Sequence, residues 1–228
     1  MTKIDRRKTY YMTIDTETAN TGGNNFKDPL AYDLGLAVHD RYGNVYATKS
    51  LVIYDIYALE KELMQSAYYA DKLPKYEEAL KNGERKMVTI FTAKRIVAEL
   101  CATYNVKAII AHNMPFDNRA LNQTLRYVSK SASRYFFPYG IPLYDSLKMA
   151  TDTICKQKTY IKFCNEHEGY TKKNGTPRAT AEILYRYITQ CEDFNEEHQG
   201  IDDVMIEMAI TAKCFRQHKK MRKLAFGK

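Results

Sequence analysis

No stretch of this sequence approaches the roughly 18 consecutive apolar residues that a membrane-spanning helix needs. The opening residues, Met1 to Lys8, are charged and lead into no apolar signal core, so the chain is expected to stay in the cytoplasm, away from membranes. Five cysteines, Cys101, Cys155, Cys164, Cys191 and Cys214, are odd in number, scattered and without a C-x-x-C pair. That pattern argues against a disulfide framework and against a zinc site, and leaves reduced thiols as the expectation. Internal repeats and low-complexity linkers are also absent. A single domain over 1–228 is therefore expected, with a peripheral hairpin near 170–178 and a basic tail near 213–228.

What is present is a composition able to build a core, with 45% hydrophobic and 27% charged residues. A formal charge of +8 favours a polyanionic partner, because Lys and Arg release counterions from a phosphate backbone. A solvated basic surface would give the same number. Nineteen tyrosines could stack on unpaired bases, although core and boundary positions account for such residues equally well.

The pattern along the chain predicts a mixed sheet flanked by helices. Thr9 to Thr18 alternates, is rich in Tyr, Thr and Ile, and ends in carboxylates, as a strand would. Two apolar, β-rich runs, Ala31 to His39 and Val45 to Tyr54, flank the turn-forming Asp40-Arg41-Tyr42-Gly43-Asn44 and read as a hairpin. From Ile56 to Asn82 the pattern is helical but interrupted at Pro74, and Thr89 to Tyr104 is an amphipathic helix. Lys107 to Ala111 reads as a short buried strand, Phe116 to Val128 as a helix, and Ile141 to Tyr144 as another strand, with a helical stretch beginning at Ser146. Helices near Tyr160 to Glu168 and Thr180 to Gln190 bracket a hairpin or loop centred on Asn174-Gly175. A last helix begins near Asp202.

Three elements carry candidate chemistry. At the end of the first strand, Asp15 and Glu17 project to one side, where two carboxylates repel unless a cation separates them. Solvated acids at a strand end are the plain alternative. The segment His112-Asn113-Met114-Pro115-Phe116-Asp117 joins a buried strand to a helix, where open α/β sheets build ligand sites. Taken alone, Asp117 could simply be a first-turn acid favoured by the helix dipole. Finally, His198 stands five residues before Asp203 at the start of the last helix. An imidazole can accept a proton from water at neutral pH, whereas Asp202 and Asp203 would also suit a helix N-terminus.

In order and context, Asp-x-Glu, Asn-x-x-x-Asp and His-x-x-x-x-Asp resemble the three motifs of the DnaQ-like DEDDh 3′→5′ exonucleases, over about Thr9 to Ala212. Leu34-Gly35-Leu36-Ala37-Val38 resembles the family's second strand, and His198 places the match in the histidine branch. The resemblance implies a ribonuclease H-like fold with a mixed five-stranded sheet. It implies that Asp15, Glu17 and Asp203 hold one divalent ion, that Asp15 and Asp117 support a second, and that His198 activates the attacking water. It further implies that Thr16, Asn113 and Phe116 lie near the terminal nucleotide. Mg²⁺ or Mn²⁺, two ions per site, suits such an all-oxygen donor set.

The implied partner is a nucleic acid with a free 3′ end, with single-stranded DNA favoured; a homodimer and a replication or repair partner are compatible with it. An RNA-trimming enzyme, an endonuclease and a catalytically silent binding module remain alternatives. The chain departs from many members in following its first motif with Ala19-Asn20 and a Gly/Asn-rich loop. Lys172, Lys173 and Arg178 on the hairpin could reach a phosphate backbone or form a solvated tip. The tail cations, among them Lys213, Arg216 and Arg222, have the same two readings, and Asp145 reads as structural.

Overall fold

The computed structural model describes residues 4–20, 29–65, 67, 70–132, 134–195 and 200–227. Three antiparallel strands come first, β1 (Tyr10–Asn20), β2 (Pro29–Asp40) and β3 (Val45–Ile53). The expected turn joins β2 to β3: Asp40 Oδ1 accepts the N–H groups of Tyr42 and Asn44, and Gly43 takes the left-handed conformation at φ +89°. Short helices α1 (Tyr54–Tyr57) and α2 (Lys61–Gln65) precede α3 (Leu73–Lys81). Pro74 does not interrupt a helix as its position suggests; it sits in the first turn of α3, where a missing N–H costs no helical bond.

Strand β4 (Lys86–Val88) leads into α4 (Ile90–Tyr104), whose N-cap Thr89 accepts the Thr92 N–H at 3.2 Å. The chain continues through β5 (Ile109–Ala111), α5 (Met114–Ser129), β6 (Leu143–Asp145), α6 (Ser146–Asp152), α7 (Lys158–Glu166), α8 (Ala181–Thr189) and α9 (Gly200–Arg216). The sheet order is β4-β3-β2-β1-β5-β6, with only β2 running against the rest. The sequence predicts five strands and the structure has six. The addition is β4, whose three residues are too few to show an alternating pattern.

Alternation along β1 sorts its side chains between two layers. Tyr10, Met12 and Ile14 enter one core with Ile90 and Val97 of α4 and Leu121 and Leu125 of α5. On the opposite face Tyr11 meets Phe215 of α9 with ring centroids 4.6 Å apart, beside a second core of Ile110, Leu184, Ile206 and Ile210. Burying each such aliphatic side chain contributes roughly 2 kcal/mol. Strand β2 lies between both layers and is buried along its whole length.

Close contacts fix α9 against β2. Gly35, the cross-strand partner of Asp15, lies under the first residues of α9, and a Cβ there would collide with the Gly200 carbonyl and the Ile201 N–H. A Cβ on Gly200 would in turn stand 2.9 Å from Gly35 N. Beside them, the fully buried Asp33 uses Oδ2 to accept from Tyr76 Oη and Arg85 Nη1, each at 2.7 Å, and from Gly200 N at 3.1 Å. One carboxylate oxygen thus joins α3, the turn before β4 and the start of α9. Removing either charge of the Asp33–Arg85 pair would leave the other buried and uncompensated.

Beyond α9 the chain returns to cover the sheet edge. Asp145 N donates to Lys223 O and Ala225 N to Leu143 O, while Arg222 clamps Asp152 through its backbone N, Nε and Nη2. The tail therefore blunts the β6 edge, and Arg222 is committed to that contact. All five cysteines are free thiols.

Two outcomes follow from this packing. Gly35→Ala should lose at least about 3 kcal/mol in urea unfolding or fail to fold, because backbone and not a flexible side chain would have to move; a wild-type midpoint would contradict the contact. His39 is buried in β2, donates Nδ1–H to Asp40 O and accepts the Thr13 hydroxyl at Nε2, and burial holds its pKa down at about 4. Its ring stays neutral when folded but protonates near 6.5 when unfolded, so its stability contribution is present above pH 6.5 and is lost as pH falls toward 4. Over that window wild type should lose about 3 kcal/mol more than His39→Gln in pH-dependent unfolding; parallel curves would show that the ring is not held neutral.

Candidate metal centre and active site

The two motifs farthest apart in sequence meet at the end of β1. Asp15 and Glu17 project from the face covered by α9, and the first turn of α9 brings Asp203 to them. One oxygen from each of the three lies within 4.8 Å of the others, the only such group of His, Cys, Asp or Glu among the described residues. Glu17 and Asp203 are buried, and Asp15 is half-buried. Burial raises the Asp15 pKa well above the carboxylate range, and the charges of Glu207, Asp117, Glu17 and Asp203 raise it further. Carboxylates concentrated in this way are stable in their ionised form when a cation sits among them. The donors are all oxygen, as a hard divalent ion requires.

Asp117 reaches the same region from the other layer. It lies in the first turn of α5, is buried, and its Oδ1 accepts from both Thr16 N at 3.1 Å and Thr16 Oγ1 at 2.8 Å. Because Thr16 alternates with Asp15 and Glu17, it faces α5 while they face α9. Asp117 therefore approaches the strand end from the opposite side and stands outside the three-residue group. Burial pushes its pKa up to about 7 against the lowering effect of the Thr16 bonds, with Asp145 adding to the rise.

The remaining expected residues fall as follows. Thr16 is buried, and its hydroxyl is spent on Asp117. Asn113 is exposed at the start of α5 with φ +79°, a left-handed conformation that costs a non-glycine residue free energy and is common at functional sites. Phe116 is half-buried with the Arg119 guanidinium 5.7 Å from its ring centre. His198 lies outside the described residues.

A further carboxylate lies outside the three sequence motifs. Glu207 stands one turn beyond Asp203 on α9, is buried, and accepts the His112 N–H at 2.9 Å. Spacing of i and i+4 from Asp203 is the signal that could have found it. His112 itself is structural: Nε2–H donates to Ala179 O at 2.7 Å, Nδ1 accepts the Ser146 hydroxyl at 3.0 Å, and burial lowers its pKa. Asp145 is also structural, its Oδ1 accepting the N–H groups of Asn113 and Leu147.

No family model matches this sequence, and no curated protein matches it. Solved structures do match in shape. Cell-death related nuclease 4 (CRN-4) superposes with a TM-score of 0.54 at 10% identity, over 95% of this chain and 67% of that one. The chain has a ribonuclease H-like fold. Exonuclease I of E. coli, in complex with an oligonucleotide, superposes at 0.50 and 15% identity, and Exonuclease I of Methylocaldum szegediense at 0.50 and 14%. Each covers 92% of this chain, which spans only 41% of the Exonuclease I chains. The fold that the motif resemblance implies is thus borne out. Among the described residues no helix is long and apolar enough to cross a membrane.

Mutual repulsion at the carboxylates generates a stability test. In EDTA, Asp15→Asn should melt a few degrees above wild type, because it removes a half-buried carboxyl whose ionisation its acidic neighbours oppose, a cost of about 1 to 2 kcal/mol. Mn²⁺ should raise the melting temperature of wild type and leave the variant nearly unmoved. A variant that melts lower in EDTA and still responds fully to Mn²⁺ would contradict the centre.

Proposed function

We propose that this chain is a metal-dependent 3′→5′ exonuclease that hydrolyses the 3′-terminal phosphodiester of a nucleic acid, single-stranded DNA foremost, and releases nucleoside 5′-monophosphates. The observation that carries this reading is the convergence of Asp15, Glu17 and Asp203, from two distant motifs, within 4.8 Å on an exonuclease fold. Asp15, Glu17 and Asp203 would hold one Mg²⁺ or Mn²⁺, and Asp117 with Asp15 would support a second. When bound, such ions lower the pKa of water and neutralise charge on phosphoryl oxygens.

The chain's own groups do the rest. Thr16 fixes Asp117 through two hydrogen bonds, and Glu207 ties α9 to the end of β5 through His112 N. His198, two residues before α9 in sequence, takes the proton of the attacking water. The water oxygen bonds to phosphorus, the bond to the 3′ oxygen breaks, and that oxygen gains a proton from solvent. Asn113 and Phe116 border the terminal nucleotide, where an exposed amide and a half-buried ring can bond and stack.

Digestion of 5′-labelled single-stranded DNA and its RNA counterpart, with Mg²⁺, Mn²⁺ or EDTA, tests the proposal. A metal-dependent ladder shortening from the 3′ end, reduced at least about 10³-fold in Asp15→Ala, is the expected result. Internal cuts in a circular strand would point to an endonuclease. No cleavage of either strand by wild type would leave a binding module as the better account.

A further inference from the structure

A cavity of 610 Å³ opens between α6 and the hairpin that follows α7. Its volume lies within the range of about 300 to 1,000 Å³ typical of small-molecule sites. His112 forms part of its wall, and the same residue's N–H bonds Glu207, whose charge acts on Asp15. His112 and Glu207 thus lie between the cavity and Asp15 of the proposed metal centre. Leu147, Pro177 and Ala179 make apolar walls, and Lys172 and Arg178 supply positive charge. Neither cation is in an ion pair among the described residues, whereas Lys156, also in the lining, is shared with Asp152 at 3.3 Å.

The hairpin that presents these cations is exposed from Lys172 to Thr176 but anchored by hydrogen bonds. Lys172 N donates to Thr176 O at 2.8 Å, Arg178 N donates to Tyr170 O at 2.8 Å, and Tyr160 Oη donates to Arg178 O at 2.6 Å. Tyr170 stacks on His167 with ring centres 5.0 Å apart and accepts from Arg186. Lys172 and Arg178 are therefore attached to a backbone held by the second core. Thr151, Thr176 and Thr180 add hydroxyls to the lining. The Thr151 hydroxyl donates to Leu147 O at 2.7 Å and can only accept, whereas those of Thr176 and Thr180 can donate or accept, so the cavity can bond the edge of any base without selecting one.

We infer that this cavity holds one nucleotide of the substrate strand, its base between Leu147 and Pro177 and its phosphate on Lys172 and Arg178. The inference rests on the exonuclease reading for its choice of ligand. Apolar walls with unpaired cations fit a base joined to a phosphate, and the cations would repel a metal ion. A base can enter only when unpaired, so the cavity would favour single strands over duplex ends.

The test is anisotropy of a 5′-fluorescein-labelled ten-nucleotide oligothymidylate with the full chain in Ca²⁺, repeated across a range of salt. Lys172→Glu with Arg178→Glu should weaken binding about tenfold or more and make the slope of log Kd against log salt shallower by roughly 0.7, the value for one single-strand phosphate. Thr151→Trp, which fills the cavity at an exposed helix position without changing charge, should weaken binding about tenfold and keep the slope. Lys173→Glu makes a charge change on the same hairpin outside the lining and should shift Kd less than about twofold.

Equal losses from Lys172→Glu and Lys173→Glu would mean a diffuse basic surface and overturn the inference, as would unweakened binding by Thr151→Trp. Thymidine 5′-monophosphate that bound as tightly as the strand, and was lost in Thr151→Trp, would make free nucleotide the occupant and also overturn it. Hydrolysis of the p-nitrophenyl ester of thymidine 5′-monophosphate by wild type, read separately with Mn²⁺, tests the metal centre alone. A failure of the exonuclease reading is thereby told apart from a failure of the cavity.

Discussion

Backbone meets backbone where Gly35 of β2 lies under Gly200 at the start of α9, and the position of that helix depends on the contact. Gly35 is the cross-strand partner of Asp15, so the absence of a side chain there opens room for the first turn of α9 next to the strand end. Asp203 reaches Asp15 and Glu17 for this reason. The buried Asp33 secures the arrangement by accepting the Gly200 N–H on the same oxygen that receives Tyr76 and Arg85. A polar network that joins three segments through one atom leaves little freedom for the helix to slide, which is what a site built from distant segments needs.

The site works against the fold electrostatically. Asp15, Glu17, Asp117, Asp203 and Glu207 converge on one strand end, and both Asp15 and Asp117 are driven toward protonation by burial and by their neighbours. Thr16 offsets part of that cost at Asp117 with two hydrogen bonds, and the His112 N–H does the same at Glu207. Stability is given up locally for a charge density suited to a divalent cation. The packed cores on either face of the sheet supply the surplus.

Much of this was legible in the sequence because the informative signals were local. Alternation along Thr9 to Thr18 placed Asp15 and Glu17 on one side, the Asp40 to Asn44 turn fixed the hairpin, and Thr89 marked the start of α4. What escaped depended on contacts between distant segments. Three residues of β4 pair with β3 without any pattern of their own, and Pro74 looks like a break until the start of α3 is known. The Gly35 and Gly200 contact and the Asp33 network join positions more than 150 residues apart, beyond the reach of any periodicity. Thr16 and Asp117 are a related case: each belongs to a sequence motif, but their mutual bond follows from α5 lying on the face opposite α9.

The central claim is that the end of β1 is a divalent-metal centre completed by α9. Anomalous diffraction from crystals soaked in Mn²⁺ tests it most directly. The account predicts a manganese peak among Asp15, Glu17 and Asp203 that disappears in Asp203→Asn crystals; carboxylates left without a peak at saturating Mn²⁺, or a peak that persists in the variant, would contradict it.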